Sequence, residues 1–349
     1  MCEACSEAVD MAYDRLVLAD EIVAKALGLP ALTKMARAEQ LLREYVNKHW
    51  ENRRAQASVA ARNATATGKS AKQINAAIRK VMMKWPKDII KRFNSDVEKV
   101  YKLAREVGAA KAKKKIKTPL VFDTPNFQDT KKAVAGVAVS FDLADERAIA
   151  ALAEQNVFWI GEHYDENLAA SISATTSETL GEVGATRRVA ALLMAERVKE
   201  QLGRVVTPGG FHGTTVQYFE GLTSNAMTVA RVRGQLRSFG DAGVTTYTVQ
   251  NPQDSRTCKI CSHMDNKVFR VEQGRAQMER ELEARSPDDI KQIHPWLSPA
   301  QLLAVSSTPG RLSGKAGAAD SRALSAAGLS LPPFHFRCRC TVDVDVSSL

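Results

Sequence analysis

Two cysteine-bearing stretches in the C-terminal part of the chain have the residue types and the spacing of a metal site. A Cys-x-x-Cys turn at Cys258 and Cys261 can direct two thiolates at one small cation. A His-x-x-Cys-x-Cys stretch follows much later and contributes His335, Cys338 and Cys340. Structural zinc sites fill all four tetrahedral positions with thiolate and imidazole donors from the protein. The five residues are therefore candidate ligands of a structural Zn(II) ion.

The second stretch continues as an alternation typical of a β-strand. At a period of two, Cys338 and Cys340 share one face with Val342, Val344 and Val346, while the arginine, threonine and aspartates between them share the other. Both cysteines are therefore predicted to point toward the interior against which the valines pack.

Two other interpretations of these cysteines remain open. Free cysteine is among the most buried residue types, so the four thiols can simply pack in a core. They can also form disulfides if the protein leaves the reducing cytosol. The 76 residues between Cys261 and Cys338 exceed the separation of about 12–20 residues in common zinc modules, so the spacing does not choose among the three. A further Cys-x-x-Cys at Cys2 and Cys5 has no nearby partners and is interpreted as part of a frayed terminus.

Two sequence motifs, taken together, carry a family resemblance. The first reads Asp254-x-Arg256-Thr257-Cys258-x-x-Cys261, and the second reads Pro333-x-His335-x-x-Cys338-Arg339-Cys340-Thr341. In this order they resemble the phage Mu protein F-like family, the minor head or head-morphogenesis proteins of tailed bacteriophages. Asp254 and Arg256 are the structural motif residues outside the candidate ligands. The chain departs from the family pattern at Asn266, where glycine is common, and in the long insert between the motifs.

The resemblance covers roughly the C-terminal half of the chain and implies a function. A member of this family is expected to be a minor capsid protein of the virion, in the head interior or at the portal vertex, after assembly in the host cytoplasm. Its implied partners are the portal protein and capsid or scaffold proteins, during head assembly, genome packaging or genome ejection.

Composition and charge predict a mainly α fold in three parts. Aromatic residues make up only 6% of the chain and alanine is abundant, which favours helices over sheets. Residues 1–118 are predicted as a basic helical domain, and 119–160 as a connector and the start of a long helix. Residues 161–349 are predicted as an α+β module with a small sheet stapled by the cysteines. Within this module, 306–331 are rich in Gly, Ala and Ser and are predicted as a flexible insert that rims the core.

The positive charge of the chain is concentrated in its N-terminal third. The formal net charge is +10, and residues 1–118 hold 25 Lys+Arg against 13 Asp+Glu. An excess this one-sided favours contact with a polyanion, either double-stranded DNA bound without sequence specificity or an acidic protein surface. An ordinary solvated face is the alternative. The candidate contact residues are Arg79, Lys80, Lys84, Lys87, Lys91, Arg92, Lys111, Lys113, Lys114, Lys115 and Lys117.

Familiar catalytic and targeting motifs are absent from the sequence. It has no Gly-x-x-x-x-Gly-Lys-Ser/Thr phosphate loop, no His-Glu-x-x-His and no Gly-x-Ser-x-Gly, so we expect no enzyme activity. Two alternatives are a zinc-ribbon nucleic-acid-binding protein outside any virion and a metal-dependent nuclease built on Asp254, Asp265 and His335. No signal peptide is evident, and no stretch approaches the ~18 consecutive apolar residues of a membrane span, so no membrane association is expected.

Overall fold

The computed structural model describes most of the chain. The described residues are 30–83, 87–115, 142–161, 166–181, 186–206, 212–255, 257–306 and 318–345. The connector predicted at 119–141 and the Cys2–Cys5 pair lie outside them. No described helix is both long enough and apolar enough to cross a bilayer.

Helices make up the first part of the described chain, as the sequence predicts. They are α1 (Pro30–Ala66), α2 (Ala71–Met82), α3 (Lys87–Lys115), α4 (Leu143–Gly161), α5 (Glu166–Gly181) and α6 (Arg187–Gln201). Local chemistry explains where they begin. Ser70 and Gln73 form a capping box at the start of α2, and the Thr186 hydroxyl accepts from the Val189 amide at the start of α6.

A small antiparallel sheet lies in the C-terminal part of the chain. The remaining elements are β1 (Arg204–Val206), β2 (His212–Thr214), α7 (Thr215–Asp241), β3 (Thr246–Gln250), α8 (Lys259–Met264), β4 (Val268–Arg270), α9 (Val271–Glu283), α10 (Pro287–Ile293), α11 (Pro299–Ser306), α12 (Ala318–Ala326) and β5 (Thr341–Val344). Strands β1 and β2 form a separate hairpin, and the three-stranded sheet has the order β4-β3-β5. The predicted mainly α fold with a small C-terminal sheet is confirmed.

The chain divides into two compact units, each built from separated segments. The first, here called the sheet unit, comprises Met1–Gln40, Ser95–Gln155 and Ser224–Leu349; the second, the helical unit, comprises Leu41–Asn94 and Asn156–Thr223. The basic region predicted as one domain over 1–118 contributes residues to both units. The sequence did not indicate this division because it depends on packing between segments far apart in the chain.

The core of the sheet unit contains the face that the strand alternation predicts. Cys338, Cys340, Val342 and Val344 are all at most 2% exposed. They pack with residues of the neighbouring elements, among them Leu236, Phe239, Tyr247, Val249 and Phe269. The predicted interior position of the two cysteines is therefore confirmed; Val346 lies outside the described residues.

The flexible insert predicted at 306–331 is wrong for residues 318–331. Helix α12 begins at Ala318, and Leu324, Leu329 and Leu331 belong to the core of the sheet unit. The amides of Gly328 and Leu329 donate to the carbonyls of Ser325 and Leu324, which is the Schellman arrangement at a helix C terminus. The glycine and alanine content that indicated a linker instead belongs to a short, closely packed helix and to the turn that ends it. Residues 307–317 lie outside the description.

Gly328→Ala is expected to destabilise the sheet unit by more than about 2 kcal/mol, because two effects coincide. Gly328 has a φ of +77°, and a Cβ at this position would clash with the Ile293 carbonyl oxygen. Gly243 is the matched control: its φ is +73°, and a Cβ there would meet nothing within 4 Å. Chemical denaturation should therefore show a clearly larger loss for Gly328→Ala than for Gly243→Ala. Equal losses would contradict the close approach.

Helix α7 is buried on most sides and its arginines are paired. Arg231 meets Glu39, Arg233 meets Glu281, and Arg237 meets Asp142 and Asp241. Arg105 of α3 is also buried and meets Asp145 and Asp241. These cations therefore hold the elements of the sheet unit together instead of forming a basic surface.

Candidate metal centre

The two cysteine motifs are brought together by the strands of the sheet and by α8. Cys258 is the N-cap of α8, where its sulfur accepts from the Cys261 amide at 3.4 Å. Cys338 and Cys340 come directly before β5, which pairs with β3 from Thr341 opposite Gln250. Because β3 ends at Gln250 and the chain leads from there to Cys258, both motifs lie at the same end of the sheet.

The donor atoms cluster around Cys261. Its Sγ lies 3.7 Å from Cys338 Sγ and 3.0 Å from His335 Nε2, and Cys258 Sγ lies 3.1 Å from the same nitrogen. Two triads have all their donor atoms within 4.8 Å of one another: Cys258 with Cys261 and His335, and Cys261 with Cys338 and Cys340. Cys261 belongs to both triads, so this cluster of five donors can hold a metal ion.

The separations fit a tetrahedral ion better than a disulfide. An ion with bonds of about 2.3 Å to sulfur and 2.0–2.1 Å to nitrogen places two sulfurs about 3.8 Å apart and a sulfur and a nitrogen about 3.5 Å apart. The Cys261–Cys338 distance of 3.7 Å matches the first value, and the two contacts to His335 Nε2 are somewhat shorter than the second. The four cysteines are free thiols, and none of them forms the disulfide that the sequence left open.

Most of the cluster is shielded from solvent. Cys261, Cys338 and Cys340 are buried, whereas Cys258 and His335 are partly exposed. Four of these protein donors would fill the tetrahedral positions of one ion and leave none open for a substrate, which is the arrangement of a structural site.

The thiols perturb one another's protonation. The hydrogen bond with Cys261 lowers the pKa of Cys338, and the one with Cys340 adds to this. Hydrogen bonds with Cys261 and with Cys338 raise the pKa of Cys340, and the bond with Cys338 raises the pKa of Cys261. A bound divalent ion would stabilise the thiolate forms and release protons as it binds.

Neighbouring groups orient the donors. The Nδ1–H group of His335 donates to the Phe336 carbonyl at 2.7 Å, which leaves Nε2 facing the thiols. Arg337 has a φ of +64°, and its amide donates to Asn225 Oδ1 of α7. Asn251 Nδ2 donates to the Cys261 carbonyl. The sequence motifs did not point to Asn225 or Asn251, because nothing in local spacing links them to the cysteines.

A bidentate ion pair joins the two motifs beside the donors. The guanidinium of Arg339 donates to both carboxylate oxygens of Asp254, at 2.5 and 2.6 Å. This pair raises the pKa of Arg339, chiefly through the hydrogen bond itself. Asp254, a motif residue in the sequence, thus binds the arginine that stands between two candidate ligands; Arg256 lies outside the described residues.

Asn266 occupies a turn position with a positive φ. Its φ is +58°, in the left-handed region that glycine adopts freely and asparagine tolerates better than most residues. Its side-chain amide also donates to Asp265 and accepts from Gln250. Asparagine is therefore compatible with the turn after α8.

Comparisons with protein-family models, with curated proteins and with solved structures find no match. In the part of the chain that the structure describes, neither donor triad contains a carboxylate. Asp254 is bound to Arg339, and Asp265 accepts from the Asn251 amide. Among the described residues, Asp254, Asp265 and His335 do not form a group of close donors.

The predicted polyanion contacts fall into two groups. Those that are exposed are Arg79, Lys80, Lys87, Lys91 and Arg92 in the helical unit and Lys113 and Lys114 in the sheet unit. Lys111 and Lys115 instead donate to the β5 carbonyls of Val342 and Val344, and Lys115 also pairs with Asp343. Burial lowers the pKa of Lys111. These two lysines have structural partners, and Lys84 and Lys117 lie outside the described residues.

Proposed function

We propose that the cluster binds one Zn(II) ion as a structural centre. Soft thiolates with one imidazole favour zinc over the hard cations, and zinc accepts tetrahedral sets of this composition. Four of the five candidates, Cys258, Cys261, His335, Cys338 and Cys340, would be ligands. The ion would fix the loop that begins α8 to the chain before β5, and its binding free energy would contribute to folding.

We further propose that the protein is a minor capsid protein of a tailed phage that associates with the portal and the assembling head. The observation that supports this is the Asp254–Arg339 pair beside the donor cluster. This ion pair gives a structural role to Asp254 and Arg339, two motif residues that are not candidate metal ligands. Both sequence motifs of the Mu F-like pattern are therefore compatible with one folded centre. The proposed role is that of a rigid docking module without catalytic activity.

The test of this role is the location of the chain in infected cells and particles. Mass spectrometry of purified mature particles should detect the protein at a few copies per particle, with zinc present in proportion. Its absence from particles, combined with tight binding of the free protein to DNA, would contradict the proposal and favour the zinc-ribbon nucleic-acid-binding alternative.

Contact with double-stranded DNA is a second proposed activity, supported by the exposed basic residues of the helical unit. Residues 41–94 hold 13 Lys+Arg against 3 Asp+Glu. A variant with Arg79, Lys80, Lys91 and Arg92 changed to alanine should bind a DNA duplex more weakly, with the slope of log K against log salt reduced by about 3 to 4. Lys111→Ala with Lys115→Ala, whose ammonium groups are bound to β5, should leave the slope unchanged. An unaltered slope in the first variant would contradict DNA contact by these basic residues of the helical unit.

A further inference from the structure

One edge of the three-stranded sheet is closed by lysines. Successive residues of β3 form backbone hydrogen bonds alternately with β5 and with β4. Val342 and Val344 lie opposite residues of β3 that bond to β4, so their own backbone groups point away from β3. Lys111 Nζ donates to the Val342 carbonyl at 3.1 Å, and Lys115 Nζ donates to the Val344 carbonyl at 2.9 Å. Covering an edge with charged groups is a common protection against pairing with another chain.

The opposite edge, at β4, is not covered in this way. The Val249 amide donates to the Lys267 carbonyl and the Val271 amide to the Thr245 carbonyl, so the odd-numbered residues of this segment face β3. Val268 and Arg270 therefore present their backbone groups outward. Gln273 Oε1 accepts from the Arg270 amide. Within the described residues, the amide and carbonyl of Val268 make no hydrogen bond.

A cavity of about 400 Å³ lies beside this edge, where α12 also contacts β4. Val268 and Arg270 line it from the strand, Gln273 from α9, and Ser321 and Arg322 from α12. Its volume is in the range of ligand-binding pockets. The cavity therefore offers the unpaired backbone groups of Val268 together with polar side chains from two helices.

The charge of the cavity is positive. Arg270 and Arg322 are both exposed, and neither forms an ion pair within the part of the chain that the structure describes. No carboxylate is among the lining residues. The hydroxyl of Thr246, which also lines the cavity, donates to Asp345 Oδ2 at 3.2 Å. Two exposed guanidinium groups at one cavity are suited to bidentate recognition of carboxylates.

We propose that β4 accepts an extended acidic segment of a partner protein as a fourth strand of the sheet. The backbone of the segment would pair with Val268, and its carboxylates would bind Arg270 and Arg322. Strand addition of this kind draws affinity from backbone hydrogen bonds and specificity from alternate side chains. The inference depends on the sheet alone and does not require the proposed function.

The test uses the full-length protein and a fluorescein-labelled octapeptide of sequence Thr-Val-Glu-Val-Glu-Val-Glu-Thr. Fluorescence anisotropy in low-salt buffer should show saturable binding. Arg270→Glu and Arg322→Glu should each weaken it by at least about tenfold, because each reverses the charge that meets a carboxylate. Arg280→Glu, which changes an exposed arginine of α9 outside the cavity, should leave the affinity unchanged. No binding at millimolar protein, or an equal loss in Arg280→Glu, would overturn the proposal.

Backbone pairing is tested separately from charge. In an extended peptide, alternate amides point to opposite edges. One version of the peptide is N-methylated on the amides that would face β4, and the other version on the amides that would face away. The first version should bind at least about tenfold more weakly than the other, and equal binding by both would overturn strand addition. Displacement of the peptide by a non-specific DNA duplex, abolished by Arg270→Glu, would assign the cavity to nucleic acid and would also overturn it.

Discussion

Replacing Cys261 by serine should lower the melting temperature of the zinc-loaded protein by at least about 10 °C. Cys261 is common to both donor triads, so its loss disrupts every close group of three donors in the described chain. Structural zinc contributes about 10–16 kcal/mol of apparent binding free energy in zinc-finger peptides, and binding free energy is folding free energy. The hydrophobic core of the sheet unit retains part of the stability, and about 3 kcal/mol of loss already shifts melting by this amount.

Differential scanning calorimetry with and without a chelator measures this effect. Ser262→Ala, an exposed neighbour on α8, is the matched control and should melt like the unaltered protein. Chelation should lower the melting temperature of the unaltered protein and have little effect on Cys261→Ser. If Cys261→Ser melts at the temperature of the unaltered protein, and the chelator changes neither melting temperature, the cluster is a set of packed thiols that binds no metal.

Arg233→Met should destabilise the sheet unit by about 3–5 kcal/mol, because it leaves a buried carboxylate without its cation. Arg233 is 3% exposed, and its Nη2 lies 2.6 Å from Glu281 Oε2. The other oxygen of Glu281 accepts from Gln277 Nε2 and from His294 Nδ1. Arg233→Met with Glu281→Gln removes both charges and should recover part of the loss, which a denaturation cycle over the four proteins measures.

The pH dependence of stability gives this prediction a second readout. Burial by itself would raise the pKa of Glu281, but the charge of Arg233 and the hydrogen bond with His294 outweigh it and hold the pKa at about 2. A folded-state pKa below the unfolded value of about 4.3 stabilises the fold above that value, and the contribution is lost as the pH falls toward 2. In Arg233→Met the carboxylate should protonate at higher pH, so acid unfolding should begin at higher pH. An unchanged acid profile would show that Arg233 is not the main stabilising charge.

The sequence predicts the donor residues of the site better than the residues from distant elements that position them. The period-two alternation from Cys338 to Val344 is local, and it correctly placed two cysteines in the interior. The Cys-x-x-Cys spacing likewise correctly predicted that Cys258 and Cys261, at the start of α8, lie close together. Asn225 and Arg233 could not be predicted as partners, because α7 meets the cysteine loop and α9 through packing that no short-range pattern encodes.

Composition misled at two places for the same physical reason. Residues 318–331 have the Gly, Ala and Ser content of a linker, yet Leu324, Leu329 and Leu331 supply enough apolar surface to dock a short helix. Lys111 and Lys115 belong to a basic run that resembles a solvent-facing surface, yet their ammonium groups bind β5 carbonyls. In both cases tertiary contacts outweigh local composition.

The metal content of the full-length protein, purified under reducing conditions, tests the central claim most directly. Elemental analysis should find one equivalent of zinc per chain, retained through gel filtration and released when the thiols are alkylated. Less than about a tenth of an equivalent of any metal, in a protein that does not take up added zinc, would contradict a metal centre at these five residues.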